Sequence, residues 1–320
     1  MKNVEILSVG PMYPASLEAM ERDFTVHKLW QAKDKPALLD QVRDRIRGIQ
    51  SFGPWCTEAK LIDELPRLEI VANVGVGVDA IDLDAAKRRG VIVTNTPEVL
   101  NDCVADLAMG LTVATLRRIS LGDRYVRAGS WFKGALPYGY KVGGKTMGIL
   151  GYGRIGKAIA KRAEAFGMRI VYNGRKPQAG VAHKYYASLT EMARDCDVLM
   201  VICPGGAATH HIVNAEVLKA LGPEGTLINV ARGSVVDEQA LVKALADGSL
   251  GAAGLDVFES EPQVPEALFG MDQVVLQPHV ASATHETRKA MGDLTVDNLR
   301  AHFAGKPALT PVFTNPRKTS

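Results

Sequence analysis

An arginine, a glutamate and a histidine stand in three short polar segments, each closing an apolar run: Asn229-Val230-Ala231-Arg232-Gly233, Asp256-Val257-Phe258-Glu259-Ser260-Glu261-Pro262 and Gln277-Pro278-His279-Val280-Ala281. A guanidinium fork can grip a planar carboxylate at two points, and a histidine can gain or lose a proton near neutral pH. Brought together, Arg232, Glu261 and His279 could bind a small acid and move a proton on it. Taken singly, each has a plainer reading: a surface ion pair, a solvated turn residue before proline, and a loop hydrogen bond after proline.

A second constellation is Gly151-Tyr152-Gly153-Arg154-Ile155-Gly156. It follows a strand-like run, residues 146–150, and opens a helical stretch in which Ile155, Ile159 and Phe166 are spaced for one buried face. In that context the first glycine permits a tight turn, the second lets backbone approach a pyrophosphate, and the third lets helix and strand pack closely. The helix start offers N–H groups and partial positive charge to phosphates. The pattern therefore predicts a bound dinucleotide. An acidic residue about 20 positions further on would hold a ribose 2′-hydroxyl, yet the next strand ends in Asn173-Gly174-Arg175-Lys176 with no carboxylate. A neutral Asn173 followed by Arg175 and Lys176 suits a 2′-phosphate, so NADP(H) is the expected cofactor. Were Arg175 and Lys176 only a solvated turn, NAD(H) would serve as well.

These residues need a frame that places strand ends side by side. Residues 4–9, 25–29, 48–52, 69–74 and 91–93 read as short strands, separated by helical stretches at 36–45 and 82–89, the latter closed by Gly90. After a long helix over 102–118 and a connection rich in Gly, Trp and Tyr over 129–144, a second series has six strands, at 146–150, 169–172, 198–203, 226–230, 252–257 and 273–277. Such alternation predicts α/β architecture with parallel sheets covered on both faces. Residues 286–303 read as a helix through Ala290, Met291, Leu294, Leu299 and Phe303. The expected organisation is a substrate domain of residues 1–100 plus 286–320, flavodoxin-like, with a dinucleotide-binding Rossmann domain of residues 101–285 inserted into it. Ligands of open parallel sheets bind beyond the carboxyl ends of the strands, where the three polar segments fall.

The bulk of the chain narrows its partners. With 47% hydrophobic and 23% charged residues over 320 positions, the chain can bury sizeable cores and divide into about two domains. Lys and Arg total 38 against 35 Asp and Glu, and they are dispersed, which argues against nucleic acid. No run approaches the length of a membrane span and the N-terminus lacks a secretory pattern. Cys56, Cys103, Cys196 and Cys203 have no metal-ligand spacing. A cytoplasmic protein without metal is expected. His210 and His211 lack acidic neighbours in sequence and read as surface or helix-start residues.

The order of fingerprint, Asn-x-x-Arg-Gly, Asp-Val-Phe-x-x-Glu-Pro and Pro-His resembles the D-isomer-specific 2-hydroxyacid dehydrogenases, over about residues 6–313. The Asn-Gly-Arg-Lys segment and compact C-terminus look most like NADPH-dependent glyoxylate/hydroxypyruvate reductases. The resemblance implies that His279 is the acid for reducing a 2-oxo acid and the base for the reverse, that Glu261 bonds its other ring nitrogen, and that Arg232 anchors the substrate carboxylate. It also implies that backbone N–H groups of Val76 and Gly77, in Asn73-Val74-Gly75-Val76-Gly77-Val78-Asp79, hold that carboxylate, as a glycine turn permits. By the same resemblance, cofactor contacts fall at Arg154, Ile155, Cys203, Pro204, Thr209, Val230, Ala231, Asp256, His279 and Ala281, with Val104 near the nicotinamide ring. Cys203 suits packing better than nucleophilic chemistry.

In the reductases of this family the long helix and following loop form a homodimer interface, and Trp131 is the candidate to enter the partner's site, or simply interface core. Trp55 is a candidate pocket wall, or packing. The expected reaction is NADPH-preferring reduction of glyoxylate and hydroxypyruvate. The rivals are a reductase of bulkier substrates, phenylpyruvate or 2-ketogluconate, and a nicotinamide-sensing scaffold like the family's corepressors.

Overall fold

A computed structural model describes residues 1–53 and 57–313. Along the chain the first elements are β1 (Glu5–Ser8), α1 (Pro14–Asp23), β2 (Thr25–Lys28), α2 (Lys35–Val42), β3 (Ile46–Phe52), α3 (Ala59–Glu64), β4 (Ile70–Val74), α4 (Leu83–Arg89) and β5 (Ile92–Thr94). There follow α5 (Asn101–Leu116), α6 (Ile119–Arg127), β6 (Thr146–Leu150), α7 (Arg154–Ala165), β7 (Arg169–Asn173), β8 (Lys184–Tyr186), α8 (Leu189–Asp195) and β9 (Val198–Val201). The last are α9 (Ala215–Leu221), β10 (Thr226–Asn229), α10 (Glu238–Ala246), β11 (Ala252–Leu255), β12 (Val274–Leu276) and α11 (His285–Phe303).

The chain divides into two compact units, Met1–Leu100 with Ser282–Ser320, and Asn101–Ala281. In the first, five parallel strands run in the order β2-β1-β3-β4-β5, the flavodoxin-like order. Local chemistry sets its helix ends. Asp82 caps α4 by accepting the N–H of Ala85 at 2.8 Å, and Gly90, at φ 68°, closes it in a left-handed turn. Helix α11 lays Val296 and Leu299 into the cluster formed by Val4, Ile6, Met20, Phe24 and Ile70. Met291 is buried as its spacing predicted, whereas Ala290 and Leu294 are only half-buried; the buried stripe runs instead through Thr287, Gly292, Thr295 and Val296.

The second unit holds seven parallel strands in the order β12-β11-β10-β9-β6-β7-β8. Strands β6 to β11 follow the doubly wound order, with the direction of winding reversing between β6 and β9. Six strands were expected, and β8 is the addition. It is a three-residue edge strand, Lys-Tyr-Tyr, paired only to β7, too short for an alternating pattern to betray it. The long helix expected over 102–118 breaks at Arg118, whose φ of 54° turns the chain into α6. No glycine or proline marks that turn in the sequence. In α7 the buried residues are Gly156, Ile159, Ala160 and Ala163. Phe166, expected on the buried face, instead caps the C-terminus of α7 and is 49% exposed. No helix among the described residues is long and apolar enough to cross a membrane.

Candidate active site

The fingerprint lies where the winding reverses, and its three glycines are required for different reasons. A Cβ on Gly151, at φ +102°, would stand 2.5 Å from the backbone nitrogen of Cys203. One on Gly156 would stand 2.4 Å from the carbonyl oxygen of Gly151. Both distances are shorter than any real contact, so β6, α7 and the end of β9 pack at backbone-to-backbone range only because these side chains are missing. Gly153 differs: its Cβ would meet nothing within 4 Å, and its φ of −85° is open to any residue. Nothing inside the protein requires glycine there, while a ligand backbone-close to the turn would. Gly153 begins α7 with no side-chain cap, so the helix start remains available to an anion. These residues fit a pyrophosphate. Cys203 is buried, and that burial pushes its thiol up to about 11, which leaves it a packing residue.

At the end of β7 the side chain of Asn173 is partly engaged within the fold. The residue is 7% exposed, and its amide donates to the carbonyl oxygens of Tyr186 at 2.8 Å and Ala187 at 3.4 Å. Its N–H groups tie β8 to β7. Arg175 and Lys176 are exposed beyond it, and they alone carry positive charge at this turn.

Arg232, Glu261 and His279 come together through a chain of backbone locks. Asn229 accepts the N–H of Ala231 at 3.0 Å and donates to the carbonyl of Arg232 at 3.0 Å, a closed turn that presents Arg232 at the end of β10. Gly233 follows because a Cβ there would sit 1.9 Å from the carbonyl carbon of Phe258, so the segment leading to Glu261 packs on the arginine turn. Glu261 is oriented at both oxygens: Oε1 accepts the N–H of Phe258 at 3.1 Å, and Oε2 lies 2.7 Å from His279 Nδ1. Burial alone would push this carboxyl up. The hydrogen bond and charge of His279, the Phe258 N–H and the charge of Arg232 outweigh it, and Glu261 is held below the usual carboxylate range.

His279 itself has φ 55°, a region uncommon for residues other than glycine. Asp256 holds it there. The backbone oxygen of Asp256 accepts the His279 N–H at 2.8 Å, while its carboxylate accepts the N–H groups of Val280 at 2.8 Å and Ala281 at 2.9 Å. Asp256 is fully buried, and burial raises its carboxyl despite those two donors. With Nδ1 facing Glu261, Nε2 is the ring nitrogen left to exchange a proton with a ligand.

In the other unit the loop after β4 has its carbonyls engaged within the fold. Asn73 donates to the carbonyls of Gly75 at 3.2 Å and Gly77 at 2.9 Å, and Asn95 donates to that of Val76 at 2.8 Å. The N–H of Thr96 takes the Gly75 carbonyl as well, at 2.9 Å. With three successive carbonyls engaged, the N–H groups of Val76 and Gly77 have no partner among the described residues.

The remaining candidates vary in setting. Val230, Ala231, Ala281 and Val104 are buried. Pro204 and Arg154 are exposed, and Ile155 is half-buried. Thr209 Oγ1 donates to the carbonyl of Pro204 at 2.7 Å, closing the loop after β9. Trp131 is 70% exposed in the short turn Ser130–Lys133. Trp55 lies outside the described residues.

His210 and His211 do have an acidic neighbour, one that sequence spacing could not show. Glu259 Oε1 stands 2.7 Å from His211 Nε2.

The family model described as D-isomer specific 2-hydroxyacid dehydrogenase, NAD binding domain, matches residues 109–281. The chain is 50% identical over 312 residues to glyoxylate/hydroxypyruvate reductase A of Arabidopsis thaliana, spanning 98% of this chain and 100% of the relative. It is 49% identical over 312 residues to hydroxyphenylpyruvate reductase of Plectranthus scutellarioides, with 98% and 100% covered. The crystal structure of an NADPH-dependent glyoxylate/hydroxypyruvate reductase from Sinorhizobium meliloti, in complex with NADP and malonate, superposes with a TM-score of 0.89 at 47% identity, covering 97% of each chain.

Proposed function

The chain belongs to the D-isomer-specific 2-hydroxyacid dehydrogenase family and is an NAD(P)-dependent oxidoreductase of 2-oxo acids, and we propose that it reduces glyoxylate and hydroxypyruvate to D-2-hydroxy acids, preferring NADPH and working as a homodimer. The observation that carries this reading is the 2.7 Å contact between Glu261 Oε2 and His279 Nδ1, which occupies Nδ1 and leaves Nε2 for the substrate.

The dinucleotide, when bound on the glycine turn, supplies the hydride for the carbonyl carbon of the substrate. Arg232 binds the carboxylate and polarises the adjacent oxo group. His279 Nε2 gives its proton to the oxygen as negative charge develops there, and takes it back in the reverse reaction. Glu261, held ionised, engages Nδ1 and keeps the imidazole from rotating.

Arg175 and Lys176 support the NADPH preference as the exposed cations at the end of β7. The relative from Sinorhizobium meliloti is itself described as NADPH-dependent. The dimer is supported by α6, which buries no residue and carries the exposed Val126, and by the exposed Trp131, Phe132 and Tyr138 that follow it in the sequence. Cys196 and Cys203 are buried free thiols, which suits a reducing cytoplasm.

A bulkier substrate is the second reading, favoured by the hydroxyphenylpyruvate reductase relative. Cofactor oxidation across glyoxylate, hydroxypyruvate, phenylpyruvate, hydroxyphenylpyruvate and 2-ketogluconate, with NADPH and with NADH, tests both. The highest kcat/KM on the two small acids with NADPH is expected. A maximum on an aromatic 2-oxo acid or a preference for NADH overturns the corresponding part.

A further inference from the structure

We propose that His210, His211 and Glu259 form a binding site for a divalent transition-metal ion, zinc being the best fit. It lies outside the groups assigned to the reaction, and it stands whichever 2-oxo acid proves to be the substrate.

The three candidate ligand atoms lie within 4.8 Å of one another. Glu259 Oε1 is 2.7 Å from His211 Nε2 and 4.0 Å from His210 Nε2. In a tetrahedral zinc site, bond lengths of about 2.0–2.2 Å place neighbouring ligand atoms roughly 3.3 Å apart. The observed separations straddle that value, and a change of side-chain rotamer at the exposed His210 would even them out. Two imidazoles and a carboxylate select zinc, nickel or copper over magnesium and calcium, which prefer all-oxygen sets. Three protein ligands leave a fourth position for water.

The backbone fixes this convergence. His211 has φ 50°, and its N–H donates to the Ser234 carbonyl at 2.8 Å, so the ring position follows from a left-handed turn docked on the segment after Arg232. The Glu259 N–H donates to Glu238 Oε1 at 3.1 Å, and the missing Cβ of Gly233 lets the Phe258–Glu259 backbone close onto the same segment. The two loops are therefore pinned to one support before any ligand arrives. The imidazole rings stack at 3.9 Å with an interplanar angle of 27°, so one ring must turn out of the stack for both Nε2 lone pairs to meet one ion, and only His211 Nε2 already lies at hydrogen-bond distance from the carboxylate. An ordinary surface ion pair needs one histidine and contributes little. A metal ion uses both. Side-chain exposures of 55%, 33% and 31% for His210, His211 and Glu259 leave the entry open to solvent. Occupancy would bridge the loop after β9 to the segment that leads to Glu261.

Zinc chloride titrated calorimetrically into chelator-stripped protein tests the site, alongside His210→Ala and Glu259→Gln variants and thermal unfolding with and without zinc. One zinc ion per chain is expected, with affinity falling more than about tenfold in each variant and a zinc-dependent rise in Tm confined to the wild type. Unchanged turnover of His210→Ala in metal-free buffer shows that this variant is folded. Absence of saturable binding, or variants that bind zinc as tightly as the wild type through other groups such as Cys103, overturns the proposal.

Discussion

Asp256 holds His279 at three points: its backbone oxygen accepts the histidine N–H at 2.8 Å, and its buried carboxylate accepts the N–H groups of Val280 and Ala281 at 2.8 and 2.9 Å. Asp256→Asn keeps the size but presents one oxygen and one NH2 to two N–H donors, so one buried hydrogen bond is lost at a cost of about 1–3 kcal/mol. The turn that keeps His279 at φ 55° then loosens. A lower Tm is expected, together with a kcat reduced by up to roughly 10²-fold and a smaller change in KM. Wild-type kcat in the variant would show that the histidine does not depend on this anchor.

His279→Ala should lower kcat by about 10²–10⁴-fold while dinucleotide affinity, measured by fluorescence titration, stays near that of the wild type. Arg232→Ala should raise KM as well as lower kcat. Arg232→Lys should recover little, because a point charge cannot reproduce a two-pronged grip. Near-normal turnover of His279→Ala would remove histidine from the chemistry.

The three fingerprint glycines should separate on mutation. Gly151→Ala and Gly156→Ala force Cβ contacts of 2.5 and 2.4 Å onto backbone atoms and should unfold at lower temperature, since the loss of close packing costs about 1–3 kcal/mol. Gly153→Ala adds a methyl group to open space and should melt like the wild type while binding NADPH more weakly. Equal binding by Gly153→Ala would contradict a dinucleotide lying against that turn.

Removing both exposed cations, Arg175→Ala with Lys176→Ala, should reduce kcat/KM for NADPH by about 10–100-fold, the loss of charged hydrogen bonds worth roughly 1.5–3 kcal/mol. The value for NADH should not change. A parallel fall with both cofactors would show that the pair does not read the 2′-phosphate.

Acid should weaken the fold through Glu261. Its carboxyl is held below the usual range in the folded chain, so its contribution is complete above the unfolded pKa and is lost as pH falls through the lower, folded one. Urea unfolding across the acid range should show wild-type stability falling more steeply than that of Glu261→Gln. Parallel curves would mean that the His279 contact does not favour the ionised form.

Local chemistry accounts for most of what could be read before the fold was known. The fingerprint's meaning depends on a strand and helix that adjoin it in sequence, and the Arg232, Glu261 and His279 motifs each lie at the end of a short apolar run. Asp82 and Gly90 bound α4 by interactions within a few residues. What remained hidden depends on neighbours distant in sequence. Asn173 has the composition of a ligand-facing turn, but a strand too short to predict, β8, engages its amide. The turn at Arg118 carries no glycine or proline. Glu259 reaches His211 from 48 residues away, and Asp256 proves to be the support of His279 only once β11 and the Pro278 turn lie side by side. Residue types and short spacings determined which groups could do chemistry. Packing of the sheet determined which groups touch, because hydrogen bonds and backbone approaches depend on distance in space rather than along the chain.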